Sequence, residues 1–176
     1  MKILGITFST LIVVASSLGQ QAQPADSMKD CPMHAQHVDH QATVESHGDQ
    51  AMGFPHEKTT HHFRLLKDGG AIEVSANETS DKANTAAIQS HLKQIAKMFT
   101  DGDFSTPMFI HDGVPPGTET MKLMNTAIRY SYEEGPAGGR VRVKTEDAVA
   151  LSAIHDFLRF QIKEHHTGDP LEVSQY

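Results

Sequence analysis

Gly69-Gly70-Ala71-Ile72-Glu73-Val74 returns later in the chain as Gly138-Gly139-Arg140-Val141-Arg142-Val143. Ala87-Ile88 returns as Ala153-Ile154, Leu92 as Leu158, Lys97 as Lys163, and Gly102-Asp103 as Gly168-Asp169. The helical matches share one offset, and the hairpin matches share an offset three residues longer. Agreement at a common offset is harder to obtain by chance than isolated matches. It predicts a chain built from two similar halves.

The local patterns say what each half is. Thr60 to Leu66 and Ala71 to Ala76 alternate in hydrophobicity around Lys67-Asp68-Gly69-Gly70, the pattern of a β-hairpin. Ile88, Leu92, Ile95 and Phe99 then recur at helical spacing, with Ser80 or Asp81 placed to start the helix and Asp101-Gly102-Asp103 to end it. A proline-bearing loop is expected from Phe104 to Gly117, followed by a short helix capped by Thr118. Ile128 to Tyr132 and Arg140 to Val143 make a second hairpin. Leu151, Ile154, Leu158, Gln161 and Ile162 mark a last helix, with Gly168 expected as its cap.

A single ββα unit cannot bury its own apolar face. Two of them predict an α+β fold: a four-stranded antiparallel sheet with two long helices on one face. Alternation then turns Phe63, Leu65, Ile72, Val74, Ile128, Tyr130, Tyr132, Val141 and Val143 toward the helices. Arg64, Glu73, Arg129, Arg140 and Arg142 are turned toward solvent. The folded domain is expected over residues 58–170, with a C-terminal tail at 171–176.

The N-terminal third reads differently. Lys2, the apolar run Ile3 to Val14 and the small residues from Ala15 to Gly19 have the layout of a secretory signal over residues 1–19. That predicts a periplasmic or secreted protein, with no membrane span left after cleavage. Residues 20–57 lack apolar periodicity and are expected to form a flexible, His-rich tail.

Charge and rare residues narrow the function. A net charge of −7, with no basic stripe to offset it, argues against nucleic acid as a partner. One Cys cannot form an intramolecular disulfide, but it stands beside many of the 12 His. The densest piece is Cys31-Pro32-Met33-His34-Ala35-Gln36-His37-Val38-Asp39-His40. Thiolate, thioether and imidazole together form a ligand set suited to Cu(I), with Zn(II) and Cu(II) as alternatives.

Cys31, Met33, His34, His37 and His40 are therefore candidate metal ligands, with His61, His62 and His111 as candidates for a second site on the domain. His61 and His62 are neighbours in a strand and point to opposite faces. His91 and His155 border the inward helix stripes, where a core imidazole held by hydrogen bonds is the commoner outcome. His165 and His166 fall in the last helical turn, where capping explains them.

Cys31-Pro32-Met33-His34 resembles the short motif of heavy-metal-binding segments in bacterial copper and heavy-metal efflux proteins, although Ala35 stands where a proline usually follows. Thr59-Thr60-His61-His62-Phe63, Gly69-Gly70, Pro115-Pro116-Gly117, Phe157 to Ile162 and Thr167-Gly168-Asp169 together resemble a family of small exported bacterial proteins of uncharacterised function. That resemblance implies a domain and an export route, and no mechanism.

Three functions remain open at this level. One is a periplasmic metal-binding protein that buffers copper or passes it to a metal-trafficking partner. The second is a small α+β interaction module with an incidental His-rich tail. The third is a metal-dependent enzyme using His61, His91, His111 and His155. No phosphate loop, nucleophile elbow or zinc-protease helix is present.

Overall fold

A computed structural model describes residues 32–174, with side chains from residue 39 onward. The expected signal segment and Cys31 lie outside the described residues. Eight-residue strands dominate the centre: β1 (Thr59–Leu66), β2 (Gly69–Ala76), β3 (Ile128–Gly135) and β4 (Gly138–Thr145). They form one antiparallel sheet in the order β1-β2-β4-β3. Each hairpin turns through two residues, Lys67-Asp68 in one and Pro136-Ala137 in the other. The inner strands of the hairpins, β2 and β4, pair with each other at the centre.

Two long helices cover one face of this sheet, as the repeat requires. Helix α2 (Lys82–Thr100) buries Ile88, Leu92, Ile95 and Phe99; α5 (Ala148–Glu164) buries Ile154, Phe157, Leu158 and Ile162. They meet Phe63, Leu65, Val74, Ile128, Tyr130, Val141 and Val143 from the strands, with Ile72 and Tyr132 partly buried at the margins. The helices cross over: α2 packs chiefly on β3 and β4, and α5 lies against β1 and β2. Each half thus closes the other.

The helix ends follow from local chemistry. Asp81 accepts from the Asn84 amide, and Asp147 from those of Val149 and Ala150, so each N-terminus has a carboxylate cap. Helix α2 ends with Gly102 at φ 74, its amide donating to Phe99 O and the Asp103 amide to Met98 O. Helix α5 ends in the same motif, but the left-handed position is His166 (φ 48), with Thr167 donating to Ile162 O. Gly168, expected as that cap, lies two residues farther on.

Several other expectations are corrected. The N-terminal region is not a tail throughout, because residues 32–52 form a helix, α1 (Pro32–Met52), that packs mainly on α3 (Ser105–Ile110). Within the stretch read as a proline loop, α3 accommodates Pro107 because a first-turn position needs no intrahelical donor. In α4 (Thr118–Leu123) the cap is Gly117 at φ 84, and the Thr118 hydroxyl donates to Pro115 O at 2.7 Å.

Arg142 is buried, although alternation turned it toward solvent. Its guanidinium donates to Gly70 O at 2.8 Å, to Val143 O and to the Asp68 carboxylate, so the charge is both paired and hydrogen-bonded. The C-terminal residues are also tied down. Ser174 donates to Leu65 O at 2.9 Å, extending the edge of β1, and Val173 packs on the core.

Candidate metal centre

Histidines from five elements gather where α1, the edge strand β1 and the C-terminal end of α5 meet. β1 pairs with β2 on one side only; along its other edge the Phe63 amide donates to Asp169 and Leu65 O accepts from the Ser174 amide. His165, just beyond α5, lies over that edge. Its ring stacks on His61 at 6.2 Å between centroids and on Phe63 at 5.6 Å, and meets His111 edge-on at 5.1 Å. His111 caps the end of α3.

The carboxamide of Gln161 joins two of these rings. Its Oε1 accepts from Nε2 of His165 at 3.1 Å, one helical turn away, and from Nε2 of His111 at 3.2 Å. That assignment leaves Nδ1 of His111 as a lone-pair nitrogen; it is buried without a hydrogen-bond partner, 3.7 Å from Oε2 of Glu164. The same Glu164 oxygen accepts from Nε2 of His40 on α1 at 2.7 Å.

Burial dominates the electrostatics. His61 and His91 are pushed down from 6.5 to about 4, and His165 to about 3. Desolvation is the main cause for all three, joined at His61 and His165 by neighbouring imidazoles. His111 is lowered as well, again chiefly by burial, although Gln161 and Glu164 oppose it. At neutral pH this group is a set of uncharged imidazoles, the protonation state in which a ring nitrogen ligates a metal.

Two further imidazoles are oriented by carboxylates. Nδ1 of His62 donates to Asp169 at 2.9 Å, and that buried carboxylate also accepts from the Phe63 amide, Arg64 and Thr167. Nδ1 of His56 donates to Asp49 on α1 at 2.9 Å, and the His56 amide donates to the same oxygen at 2.7 Å. In each case Nε2 becomes the nitrogen left for a ligand. A carboxylate that fixes the tautomer is the usual support of a metal-binding histidine.

The predicted site residues therefore fall into three groups. Met33, His34 and His37 belong to the first two turns of α1, where only the backbone is described, and Cys31 precedes it. His40, His61, His62 and His111 all come to the β1–α5–α1 region. His155 does not join them: buried in α5, its Nε2–H bridges the carbonyls of Leu66 and Gly69, a structural role. His91 lies edge-on to Phe54 at 5.8 Å.

Sequence reasoning missed His56, His165, Asp49 and Asp169. The one available signal was the Gln161–His165 spacing; His56 and Asp49 meet only because α1 is a docked helix, and Asp169 meets His62 only because the chain beyond α5 folds back along β1. Among the described residues, no three His, Cys, Asp or Glu side chains converge, as they stand, into a set that could hold a metal ion. No helix of the described residues is long and apolar enough to cross a membrane.

Comparison with protein-family models, curated proteins and solved structures found no match.

Proposed function

We propose that this is an exported metal-binding protein that buffers copper or passes it to a trafficking partner in the periplasm or outside the cell. The soft donors Cys31, Met33, His34, His37 and His40 would take up Cu(I). One observation carries this reading: all five fall within the ten residues 31–40 of the sequence, and α1, which begins at Pro32, packs on the domain. Thiolate and thioether are the donors that select Cu(I), and imidazole also suits copper.

Deleting the whole N-terminal region would remove a packed helix, so point substitutions are the better test. The full chain is titrated with Cu(I) against a chromophoric chelator, alongside Cys31→Ser and a Met33→Ala/His34→Ala pair. The expected result is one tightly held Cu(I), weakened at least 100-fold by Cys31→Ser. A full chain that leaves Cu(I) with the chelator would overturn the proposal, as would Cys31→Ser and the Met33/His34 pair both binding as the parent does.

A further inference from the structure

Between α1 and the edge of β1 lies a cleft of about 270 Å³, lined by Val44, Glu45, Met52, His56, His61 and His62 among others. Three of its side chains carry nitrogen or oxygen donors without a structural commitment. Asp49 holds Nδ1 of His56, which turns Nε2 into the ligating nitrogen and brings it 3.8 Å from Oε2 of Glu45. Oε1 of Glu45 is held by the Gln41 amide at 2.9 Å, so Oε2 is the oxygen left over. Among the described residues, neither ring nitrogen of His61 has a hydrogen-bond partner; the ring lies parallel to that of His165 at 6.2 Å between centroids.

We propose that Glu45, His56 and His61 bind a divalent first-row ion of the Zn(II) class in this cleft, a site separate from the soft Cys31–His40 set. Two donors on a tetrahedral ion, each at about 2.1 Å, are themselves about 3.4 Å apart. The Glu45–His56 separation is within a few tenths of an ångström of that, and a rotation of the Glu45 carboxylate closes it. His61 lines the same cleft and supplies the third donor once the side chains close on the ion, since among the described residues no three donors converge as they stand. The open side of the cleft leaves the fourth position to water, and His62, held by Asp169, also lines the cleft. Two imidazoles and a carboxylate suit Zn(II) or Cu(II) and offer Cu(I) no sulfur. The inference rests on the metal-binding reading only in its ligand class, since it uses none of the tail donors.

The two ideas are separable in the full chain carrying Cys31→Ser. Zn(II) is titrated by calorimetry, and Co(II) is followed through its visible absorption. One Zn(II) equivalent that survives Cys31→Ser is expected, with tetrahedral Co(II) bands. His56→Ala or Glu45→Gln should weaken it at least 100-fold, and Asp49→Asn by about tenfold, as expected for a residue that orients a ligand. Zn(II) affinity unchanged in both His56→Ala and Glu45→Gln would overturn the proposal, and so would the absence of this equivalent.

A second reading avoids dependence on variant folding. In the unaltered chain, Zn(II) should shift Nε2 of His56 and one ring nitrogen of His61 in imidazole ¹⁵N spectra. Shifts confined to His34, His37 and His40 would equally sink the cleft site. Loss of Cu(I) binding in Cys31→Ser with Zn(II) retained in the cleft supports both proposals. Loss of Zn(II) alone overturns only this one.

Discussion

Ile72 lies directly opposite Val141 in the register of the two central strands, and these are also corresponding residues of the two halves. Around that pair the hydrogen bonds repeat. The Ala76 amide donates to Ala137 O at 2.8 Å, and the Thr145 amide to Asp68 O at 3.0 Å. Gln89 of α2 reaches Gly135 O in the second hairpin, while His155 of α5 reaches Leu66 O in the first. Each of these matches keeps the offsets seen in the sequence. The repeat is therefore a relation between folded units, arranged about the Ile72–Val141 pair.

Gly69 and Gly138 open the two central strands and face the same constraint. A Cβ on Gly69 would run into Val143 O, and one on Gly138 into Val74 O, both backbone atoms that cannot yield. Gly69 also has φ 137, where an L side chain is strained. Gly69→Ala and Gly138→Ala should each cost about 2–3 kcal/mol, read as a lower urea midpoint. An unchanged midpoint in either would mean that the strands approach less closely.

The two helix-to-hairpin bonds should differ in weight. His155 is buried and serves two carbonyls at 2.9 and 3.0 Å, whereas Gln89 reaches one at 3.4 Å from a partly exposed position. Removing a buried donor costs about 1–3 kcal/mol, because its acceptors lose their partner. His155→Ala should fall in or above that range once lost packing is included, and Gln89→Ala should cost less than about 1 kcal/mol. Equal losses in urea unfolding would contradict the geometry.

The neutral histidines give stability a definite pH dependence. His61, His91 and His165 have folded values below the ordinary 6.5, so the unfolded chain binds more protons over the intervening range. Their contribution is fully present above about pH 6.5. It is lost as pH falls toward about 4 for His61 and His91, and about 3 for His165. Each group adds at most about 1.4 kcal/mol per pH unit to the slope. Replacing His165 by Phe, which keeps a ring against Phe63, should flatten the unfolding free energy between pH 6.5 and 4; a slope identical to that of the parent would count against its burial in neutral form.

His166 occupies a left-handed backbone position at φ 48 at the end of α5, where the same motif at the end of α2 has Gly102 at φ 74. His166→Gly should therefore stabilise the protein by about 0.5–1 kcal/mol, a small rise in urea midpoint. A decrease would show that the His166 side chain contributes more than the backbone strain takes away.

Much of the fold could be read because it depends on periodic burial. The Ile88–Phe99 and Ile154–Ile162 stripes, the hairpin alternations and the repeat all express one apolar face each. Arg142 escaped that logic because its burial is permitted by hydrogen bonds to Gly70, Val143 and Asp68, which a hydrophobic pattern does not encode. The cleft histidines were harder still. Alternation puts His61 on the same face as Phe63, but His56, Asp49 and Glu45 become neighbours only through the docking of α1. That helix is rich in Gln, Ala, Glu and His, and a polar face of this kind resembles a solvated tail.

Among the described residues a few contacts hold α1, which makes its docking testable. Val44 is 1% exposed, Phe54 just beyond the helix is 3% exposed, and His47 stacks on Phe109 at 4.6 Å. His40 adds its bond to Glu164 across the start of the interface. Val44→Asp would place a carboxylate at the one fully enclosed aliphatic position of the described part of α1, at a cost of several kcal/mol if the helix stayed docked. Undocking is the cheaper outcome, since the sheet and its two long helices keep their own core. Amide exchange should therefore accelerate throughout residues 40–52, while the β2 and β4 amides around Ile72 and Val141 keep their protection. Equal loss in both regions would show that α1 belongs to the same cooperative unit as the sheet.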